Sequence, residues 1–200
     1  YVREMNLWLQ PGMELIIVAP CDMNKKPGAI DLAYETDNVH FISVPQFNLT
    51  SGKEILKSLK VLPGIIASIY KGMKMADHIH LRCPGNMGLL GAMVQMLFPK
   101  KKKTTKYANN WDWNSHQPWS YRLQQRILRN TFLTRNMTVL VYGNWPDRTK
   151  NILPFFTASY SDADKTDVLK PDILKEVRLA FVGTLSANKS PITSLEVLKL

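Results

Sequence analysis

Short apolar runs alternate with amphipathic segments along the first two thirds of the chain. Five of these runs are predicted to be β-strands: Glu14–Ala19, Val39–Val44, Asp77–Arg82, Thr104–Ala108 and Thr138–Tyr142. Between them, apolar residues at helical spacing predict helices over Ser51–Met75 with a break at Pro63, Leu89–Phe98 and Pro118–Arg135. Alternating strands and helices form a parallel sheet with right-handed crossovers. The pattern therefore predicts an α/β fold, a Rossmann-like parallel sheet flanked by helices.

The composition changes after the last of these strands. Gly143 to Lys175 is polar and proline-punctuated, and Arg178–Val182 is predicted to start a fresh strand followed by Gly183. We therefore predict a first domain with its linker over residues 1–176 and the start of a second domain over residues 177–200. The chain opens without an initiator methionine, on Tyr1–Leu9, an interrupted helical pattern, and closes within a predicted helix. We expect both ends to be truncated and the first domain to lack its first strand.

The composition is that of a folded protein rather than of a disordered or membrane-spanning one. A hydrophobic content of 45% with 21% charged residues is enough to bury a core, which argues against disorder. Cys21 and Cys83 lie far apart without a CxxC pattern, so we expect neither a disulfide framework nor a zinc site, and a reducing, cytoplasmic compartment. The longest apolar stretches fall short of the roughly 20 residues that cross a bilayer. The sequence therefore predicts a soluble chain.

The formal net charge of +10 favours anionic partners without choosing among them. Its densest cluster is Lys100–Lys103 with Lys106. Two interpretations of this cluster stay open: a solvated loop that leads into a strand, or a contact with an anionic membrane surface or a phosphate. Nucleic acid is disfavoured, because the basic residues lack the aromatic interleaving of single-strand binders and no DNA-reading motif is present.

Two polar side chains lie at the end of the third predicted strand. Open parallel sheets place their ligands at the carboxyl ends of strands, and His80 and Arg82 stand there. The guanidinium of Arg82 can orient a sugar hydroxyl or a phosphate through its planar fork. A neutral His80 can only donate or accept single hydrogen bonds, and it can equally be a satisfied core histidine.

The loop after the fourth predicted strand mixes tryptophans with polar side chains. Its residues are Asn109, Asn110, Trp111, Asp112, Trp113 and, further on, Trp119. Sugar rings pack on flat aromatic faces while amides and carboxylates bind their hydroxyls, so this loop suits a carbohydrate site. The same tryptophans can simply close the rim of the core, and the sequence does not decide between the two.

Three segments carry a resemblance to a known family. They are DHIHLRCPGN at Asp77–Asn86, KYANNW at Lys106–Trp111 and LAFVGTLSANKSP at Leu179–Pro191. Together they resemble the retaining glycosyltransferases of the GT-B fold, specifically family 4. The first is similar to the family's strand-end motif with histidines before a proline. The third is similar to the first strand and phosphate loop of its donor-binding domain, and is the most specific of the three.

The resemblance implies a donor site at the start of the second domain. Gly183 would permit close approach of the backbone to the nucleotide diphosphate, and Lys189 matches the lysine that neutralises it. The sequence departs from the family at Thr184, where an arginine is common, and at Ser190, where glycine is usual. One cationic contact is therefore missing. The alternative is an ordinary strand, turn and helix with an unrelated lysine.

The function that the resemblance implies is a hexosyltransferase-type transfer of a sugar. The donor would be a UDP-sugar or GDP-sugar, the acceptor a glycan or a lipid-linked acceptor, and the anomeric configuration would be retained without a metal or other cofactor. Such enzymes build bacterial surface polysaccharides on the cytoplasmic side, peripheral to the membrane. The implied acceptor-binding residues are His80, Arg82, Asn109, Trp111 and Trp113. The family's catalytic glutamate pair would lie beyond Leu200, so we expect little or no turnover from this polypeptide alone.

Two further classes of function stay open. One is a non-catalytic α/β ligand-binding domain, because a fold does not fix a function. The other is a sugar-nucleotide epimerase of the same two-domain architecture, which would act on the donor without an acceptor. Dependence of nucleotide release on a glycan acceptor would separate a transferase from an epimerase.

Overall fold

The computed structural model divides the chain into two compact units, Tyr1–Ser159 and Tyr160–Leu200. It describes residues 2–22, 26, 28, 31–48, 52–146, 148–156, 163, 165–167, 180–183 and 189–197. The first unit contains every strand among these residues. The predicted domain boundary at residue 177 lies outside the described residues.

The first unit alternates helices and parallel strands. Its elements are α1 Val2–Trp8, β1 Leu15–Pro20, β2 Val39–Val44, α2 Gly52–Ser58, α3 Leu62–Met75, β3 His78–Cys83, α4 Asn86–Val94, a 3-10 turn Gln95–Leu97, β4 Lys102–Tyr107, α5 Trp119–Arg129, β5 Met137–Val141 and β6 Ile152–Pro154. β1 pairs with β2, and β3, β4, β5 and β6 form a four-stranded sheet in that order. Every pairing is parallel. The predicted α/β fold, a Rossmann-like parallel sheet flanked by helices, is confirmed.

At β3, the four-stranded sheet turns an apolar face toward the helices and a polar face away from them. On β3, the side chains of Ile79, Leu81 and Cys83 are buried toward the helices. The intervening residues, His78, His80 and Arg82, point to the opposite face, as the two-residue period of a strand requires. We call the first the covered face and the second the outer face. The register continues the division across β4, β5 and β6, because paired residues of parallel strands share a face.

Glycines allow the helices to approach the covered face closely. A Cβ on Gly88 of α4 would lie 2.6 Å from the carbonyl oxygen of Arg82 and 3.0 Å from Sγ of Cys83. A Cβ on Gly91, one turn later, would lie 2.9 Å from the side chain of Leu81. The contact leaves Cys83 fully buried, and burial raises the pKa of its thiol to about 12. The small residues of α4 are therefore a packing requirement of the sheet.

The lysine cluster is largely internal. The ammonium of Lys101 donates to the carbonyls of Met73, Lys74 and Ala76, which end α3. Lys103 lies on the covered face and donates to the carbonyls of Gln95 at 3.4 Å and Phe98 at 2.9 Å.

Burial lowers the pKa of Lys103. Of the predicted cluster, Lys100 and Lys102 are exposed. Lys101 and Lys103 are therefore not part of a solvated loop, because cations near a helix C-terminus satisfy carbonyls that lack partners. A contact of the exposed Lys100 and Lys102 with an anionic surface stays a prediction.

α5 ends earlier than its periodicity predicts. The side chain of Asn130 accepts the backbone N–H groups of Phe132 at 3.0 Å and Leu133 at 3.1 Å, which turns the chain out of the helix. Phe132, which lies within the predicted helix but beyond the end of α5, is 69% exposed. The predicted helix over Pro118–Arg135 is therefore present, but it ends at Arg129 rather than at Arg135.

In the second unit the structure describes residues 163, 165–167, 180–183 and 189–197. α6 spans Pro191–Val197. The predicted strand Arg178–Val182 begins outside the described residues, and residues 180–182 are not in a strand. Among all the residues that the structure describes, no helix has the length and apolar character needed to cross a membrane.

Candidate functional site

The carboxyl ends of β3 to β6 meet at one edge of the sheet. Arg82 pairs with Lys106 one residue before the strands end, and Cys83 pairs with Tyr107 at the last position of both strands. The N–H of Ala108 donates to the carbonyl of Cys83 at 2.6 Å, which holds the two strand ends together. Asn109 follows at this edge and is exposed, as Arg82 is. The structure therefore brings the predicted pair Arg82 and Asn109 to the same edge.

The loop after β4 is held by its own side chains. The amide of Gln117 donates to the carbonyls of Asn110 at 3.1 Å and Asp112 at 3.0 Å. The carboxylate of Asp112 accepts the N–H of Asn114 at 2.9 Å. A loop with its polar groups paired in this way keeps its shape before a ligand arrives, which lowers the entropic cost of binding.

Trp111 does not line a surface. Its ring is 3% exposed and packs edge-on against Tyr107, with centroids 4.8 Å apart. Gln125 of α5 donates to its carbonyl at 3.1 Å. Tyr107 shares the covered face with Cys83, so Trp111 and Arg82 lie on opposite faces of the sheet. The prediction that Trp111 binds an acceptor is wrong, because the ring completes the core beneath α5.

Trp113 also stands apart from Arg82. Its ring packs against α5, with the guanidinium carbons of Arg126 and Arg129 at 5.8 Å and 5.3 Å from its centroid. α5 covers the other face of the sheet from the one that carries Arg82. The expected grouping of His80, Arg82, Asn109, Trp111 and Trp113 in one pocket therefore does not form.

His80 lies on the outer face beneath α1. Its Nδ1 shares a hydrogen bond with Oγ1 of Thr104 at 2.8 Å, and Nε2 of His78 meets the same oxygen at 2.9 Å. The ring of Trp8 packs against His80 edge-on, with centroids 4.7 Å apart.

Burial lowers the pKa of His80 to about 4, although the carboxylate of Glu4 opposes the shift. His80 is thus a neutral, hydrogen-bonded side chain between α1 and the sheet. These surroundings fit the second interpretation from the sequence, a core histidine whose hydrogen bonds are satisfied within the protein.

Lys106 forms a buried ion pair on the same face. Its ammonium lies 2.5 Å from a carboxylate oxygen of Glu4, with side-chain exposures of 5% and 14%. The rings of Tyr142 and Phe155 each have their centroid 5.5 Å from the ammonium. The pair anchors α1 to the sheet, and it orders the two aromatic side chains that follow β5 and β6.

A shallow depression lies at the carboxyl ends of β5 and β6. We call it the edge depression, and its lining residues are Tyr142, Gly143, Asn144, Pro154, Phe155 and Phe156. Phe156 is 81% exposed. Gly143 adopts φ 87°, a turn that positions Trp145 to donate to the carbonyl of Tyr142 at 2.8 Å. The depression combines aromatic faces with an exposed amide at the edge where parallel sheets bind ligands.

The sequence did not point to these residues. Tyr142 ends a predicted strand, but Asn144, Phe155 and Phe156 fall in the stretch interpreted as irregular. The missed element is β6, whose three residues are too few for a periodic signal. The available clue was the aromatic doublet Phe155 and Phe156, which a single proline separates from the apolar pair Ile152 and Leu153.

The predicted donor residues lie in the second unit. Gly183 and Lys189 are both exposed, and residues 184–188 between them lie outside the described residues. Ser190 adopts φ 47°, a left-handed conformation that glycine reaches without strain. The position where family 4 usually has glycine thus keeps a glycine-like backbone in this chain.

Comparison with known proteins gave no match. No family model matches the chain, no curated protein matches it, and no solved structure matches it. The likeness to family 4 therefore rests on the three sequence segments alone. Within the described residues, no group of three or more His, Cys, Asp or Glu side chains is placed to hold a metal ion.

Proposed function

We propose that this chain belongs to a glycosyltransferase that moves a sugar from a UDP-sugar or GDP-sugar to a glycan or lipid-linked acceptor with retention. The observation that carries the proposal is the edge depression, where aromatic side chains and an amide lie at the carboxyl edge of a parallel sheet. Such edges are where open α/β sheets take their ligands. The three family-like segments supply the reaction class, and the first unit is the acceptor-binding domain.

Acceptor binding in this proposal uses stacking and hydrogen bonds. A sugar ring packs its C–H face on Phe156 or Tyr142, and the amide of Asn144 binds its hydroxyls. Arg82 on β3 and Asn109 after β4 lie at the same edge, two strands and one strand away from β5, where they can contact further units of an extended glycan. This replaces the tryptophan loop as the acceptor surface, because Trp111 is buried.

The donor side of the proposal rests on the resemblance. Lys189 neutralises the diphosphate and Gly183 lets the backbone approach it, as the matched family positions do. The left-handed conformation of Ser190 supports this match, since the family's glycine would take the same conformation freely.

The deciding experiment is a transfer assay on the whole protein. Labelled UDP-sugars and GDP-sugars are incubated with and without a panel of oligosaccharide and lipid-linked acceptors, and both nucleotide release and the glycosylated product are measured. We expect product only when acceptor is present. Donor sugar altered without any acceptor would instead identify an epimerase, and absence of both reactions with every donor would leave a non-catalytic ligand-binding domain.

A matched pair of variants tests the acceptor site. Phe156→Ala removes an exposed ring from the edge depression, and we expect the KM for acceptor to rise about fivefold to tenfold with little change in the KM for donor. Phe132→Ala is the control, because Phe132 is similarly exposed at 69% but is not among the residues that line the depression. Equal effects of both substitutions on the acceptor KM would refute the assignment of the edge depression.

A further inference from the structure

β1 and β3 each have one edge without a described partner. β1 pairs with β2 and β3 pairs with β4, but β1 and β3 are not hydrogen-bonded to each other. Among the described residues, no other strand pairs with either of these two edges. An unpaired strand edge presents a row of N–H and C=O groups that can bind a further strand.

On β1, the direction of the backbone groups shows which residues face the unpaired edge. The N–H of Leu15 donates to the carbonyl of Asn38, directly before β2, at 2.9 Å. Successive residues of a strand turn their backbone groups to opposite edges. The N–H groups of Ile16 and Val18 therefore point away from β2.

The same reasoning applies to β3. The carbonyl of Cys83 accepts the N–H of Ala108, directly after β4, at 2.6 Å. Leu81, two residues earlier, therefore turns its backbone groups to β4 as well. The N–H of His80 points to the opposite edge, away from β4.

The helices on the covered face place the β1–β2 pair beside the four-stranded sheet. A Cβ on Gly72 of α3 would lie 2.7 Å from the side chain of Val18, so α3 lies directly on β1. α4 lies as closely on β3, through Gly88 and Gly91. α3 and α4 also pack against each other. The two sheets are therefore neighbours in one layer, with both helices on the same side.

The handedness of the connections gives the order of the strands. The connections from β3 to β4 and from β4 to β5 run through α4 and α5 on the covered face, and they advance away from β3. Right-handed connections on one face all advance in the same direction, and those on the other face advance in the opposite direction. The connection from β2 to β3 runs through α3 on the covered face, so β2 lies on the side of β3 away from β4.

The connection from β1 to β2 shows which of these two strands is nearer β3. Its described part, residues 31–38, contacts α1 on the outer face. The side chain of Asn6 donates to the carbonyl of Ala33 and accepts the N–H of Glu35, both at 3.2 Å. A right-handed connection on the outer face advances away from β3 in this sheet, so β2 lies beyond β1. β1 is therefore the strand nearer β3.

The position of α1 indicates a strand between β1 and β3. α1 lies on the outer face, where the ring of Trp8 packs against His80 and Glu4 pairs with Lys106. A right-handed connection that runs through α1 into β1 must come from a strand on the β3 side of β1. The nearest such position lies between β1 and β3.

The sequence of β1 is that of a strand with a neighbour on each side. Leu15 to Ala19 are all apolar, as is typical of parallel strands that are buried in the middle of a sheet. None of the six residues of β1 is buried, however, whereas Ile79, Leu81 and Cys83 of β3 are. The exposure of β1 therefore fits a sheet in which one neighbouring strand has still to be added.

We propose that a further parallel strand fits between β1 and β3 and is supplied by the part of the protein that leads into α1 from its amino end. The N–H groups of Ile16, Val18 and His80 donate to this strand, which joins the two sheets into one. The order of the strands reverses at this position, and open α/β sheets bind ligands at the carboxyl end of such a point.

The test is amide hydrogen exchange of the whole protein, followed by NMR. We expect the N–H groups of Ile16 and Val18 to exchange within about fivefold of the rate of Ile17, and that of His80 within about fivefold of Leu81. Ile17 and Leu81 are the matched controls, because each lies in the same strand and bonds to a partner that is already described. A ratio within one strand cancels any difference in overall stability.

The source of the strand is identified by cross-strand nuclear Overhauser effects. We expect them between residues on the amino-terminal side of α1 and the amide protons of Ile16, Val18 and His80. The proposal is overturned if these three amides exchange more than about 100-fold faster than their controls, which would mean open edges. It is equally overturned if the contacts come from residues after α1, or if dilution removes the protection, which would identify a second copy of the chain.

Discussion

The close approach of α4 to β3 gives the sharpest test of the packing. Replacing Gly88 by alanine adds one methyl group, whose carbon would lie 2.6 Å from the carbonyl oxygen of Arg82 and 3.0 Å from both Cys83 Sγ and Gln124 Oε1. The nearest of these atoms is backbone within a paired strand, so it cannot turn aside as a flexible side chain would.

Two opposing effects set the size of the change. Alanine is favoured over glycine inside a helix by about 0.8–1 kcal/mol, whereas forcing an extra carbon into a close-packed contact costs about 1–3 kcal/mol. The short distances place Gly88 toward the upper part of that cost, so we expect a net destabilisation of roughly 1–2 kcal/mol. Gly64 of α3 is exposed, and a Cβ there would have no atom within 4 Å. Gly64→Ala should therefore stabilise by about 0.5–1 kcal/mol.

The assay is guanidinium chloride unfolding followed by tryptophan fluorescence. The five tryptophans all precede residue 146, so the signal reports the first compact unit. The midpoint should fall for Gly88→Ala and rise for Gly64→Ala, with the slope unchanged if only the folded state is affected.

A Gly88→Ala variant as stable as the parent chain would refute the argument, provided that Gly64→Ala shows the expected gain. That result would mean that α4 can move outward at no cost, and that the contact with β3 does not determine where the helix lies.

Three other predictions concern the contribution of buried or hydrogen-bonded polar side chains to stability. Glu4→Gln leaves the ammonium of Lys106 buried without its counter-charge and should cost about 3–5 kcal/mol, whereas replacing both residues by methionine should be nearly neutral, as chemical unfolding can measure. Burial lowers the pKa of His80 from 6.5 to about 4, so the unfolded chain binds a proton that the folded chain does not, and stability should fall by up to about 3 kcal/mol as the pH drops through that window. His80→Gln should flatten this part of the stability–pH curve, and an unchanged slope would contradict the assignment. Lys101→Met should lower stability by about 1–2 kcal/mol through loss of its three carbonyl contacts, against less than about 0.5 kcal/mol for the exposed Lys100→Met.

The fold could be predicted because its signals are local. Each of the five predicted strands is a run long enough to show β-branched or alternating residues, and all five are present within two residues of the expected bounds. The failures have equally local causes. β6 has three residues, which gives no period to detect. α5 ends where the side chain of Asn130 accepts the backbone N–H of Phe132, a hydrogen bond that composition does not reveal.

The site was harder to predict because it depends on which face each residue takes. Arg82 and Trp111 both belong to strand-end motifs, yet the register puts Arg82 on the outer face, whereas Trp111 packs against Tyr107 in the core. The prediction of a solvated loop at the basic cluster failed for Lys101 and Lys103 for a similar reason. A sequence shows that Lys101 and Lys103 are charged. Only the packing of α3 and the 3-10 turn shows that their ammonium groups already donate hydrogen bonds to backbone carbonyls.

The two cysteines differ in their exposure to solvent, and this difference allows selective labelling of one thiol. The thiol of Cys83 is sealed between α4 and the sheet, whereas Cys21, directly after β1, is exposed. Thiol-reactive dyes and spin labels react with the thiolate form of an accessible cysteine. Under native conditions they should therefore attach at Cys21 and leave Cys83 unmodified. The unmodified chain can therefore carry one spectroscopic reporter at a known position, with no engineered residue needed.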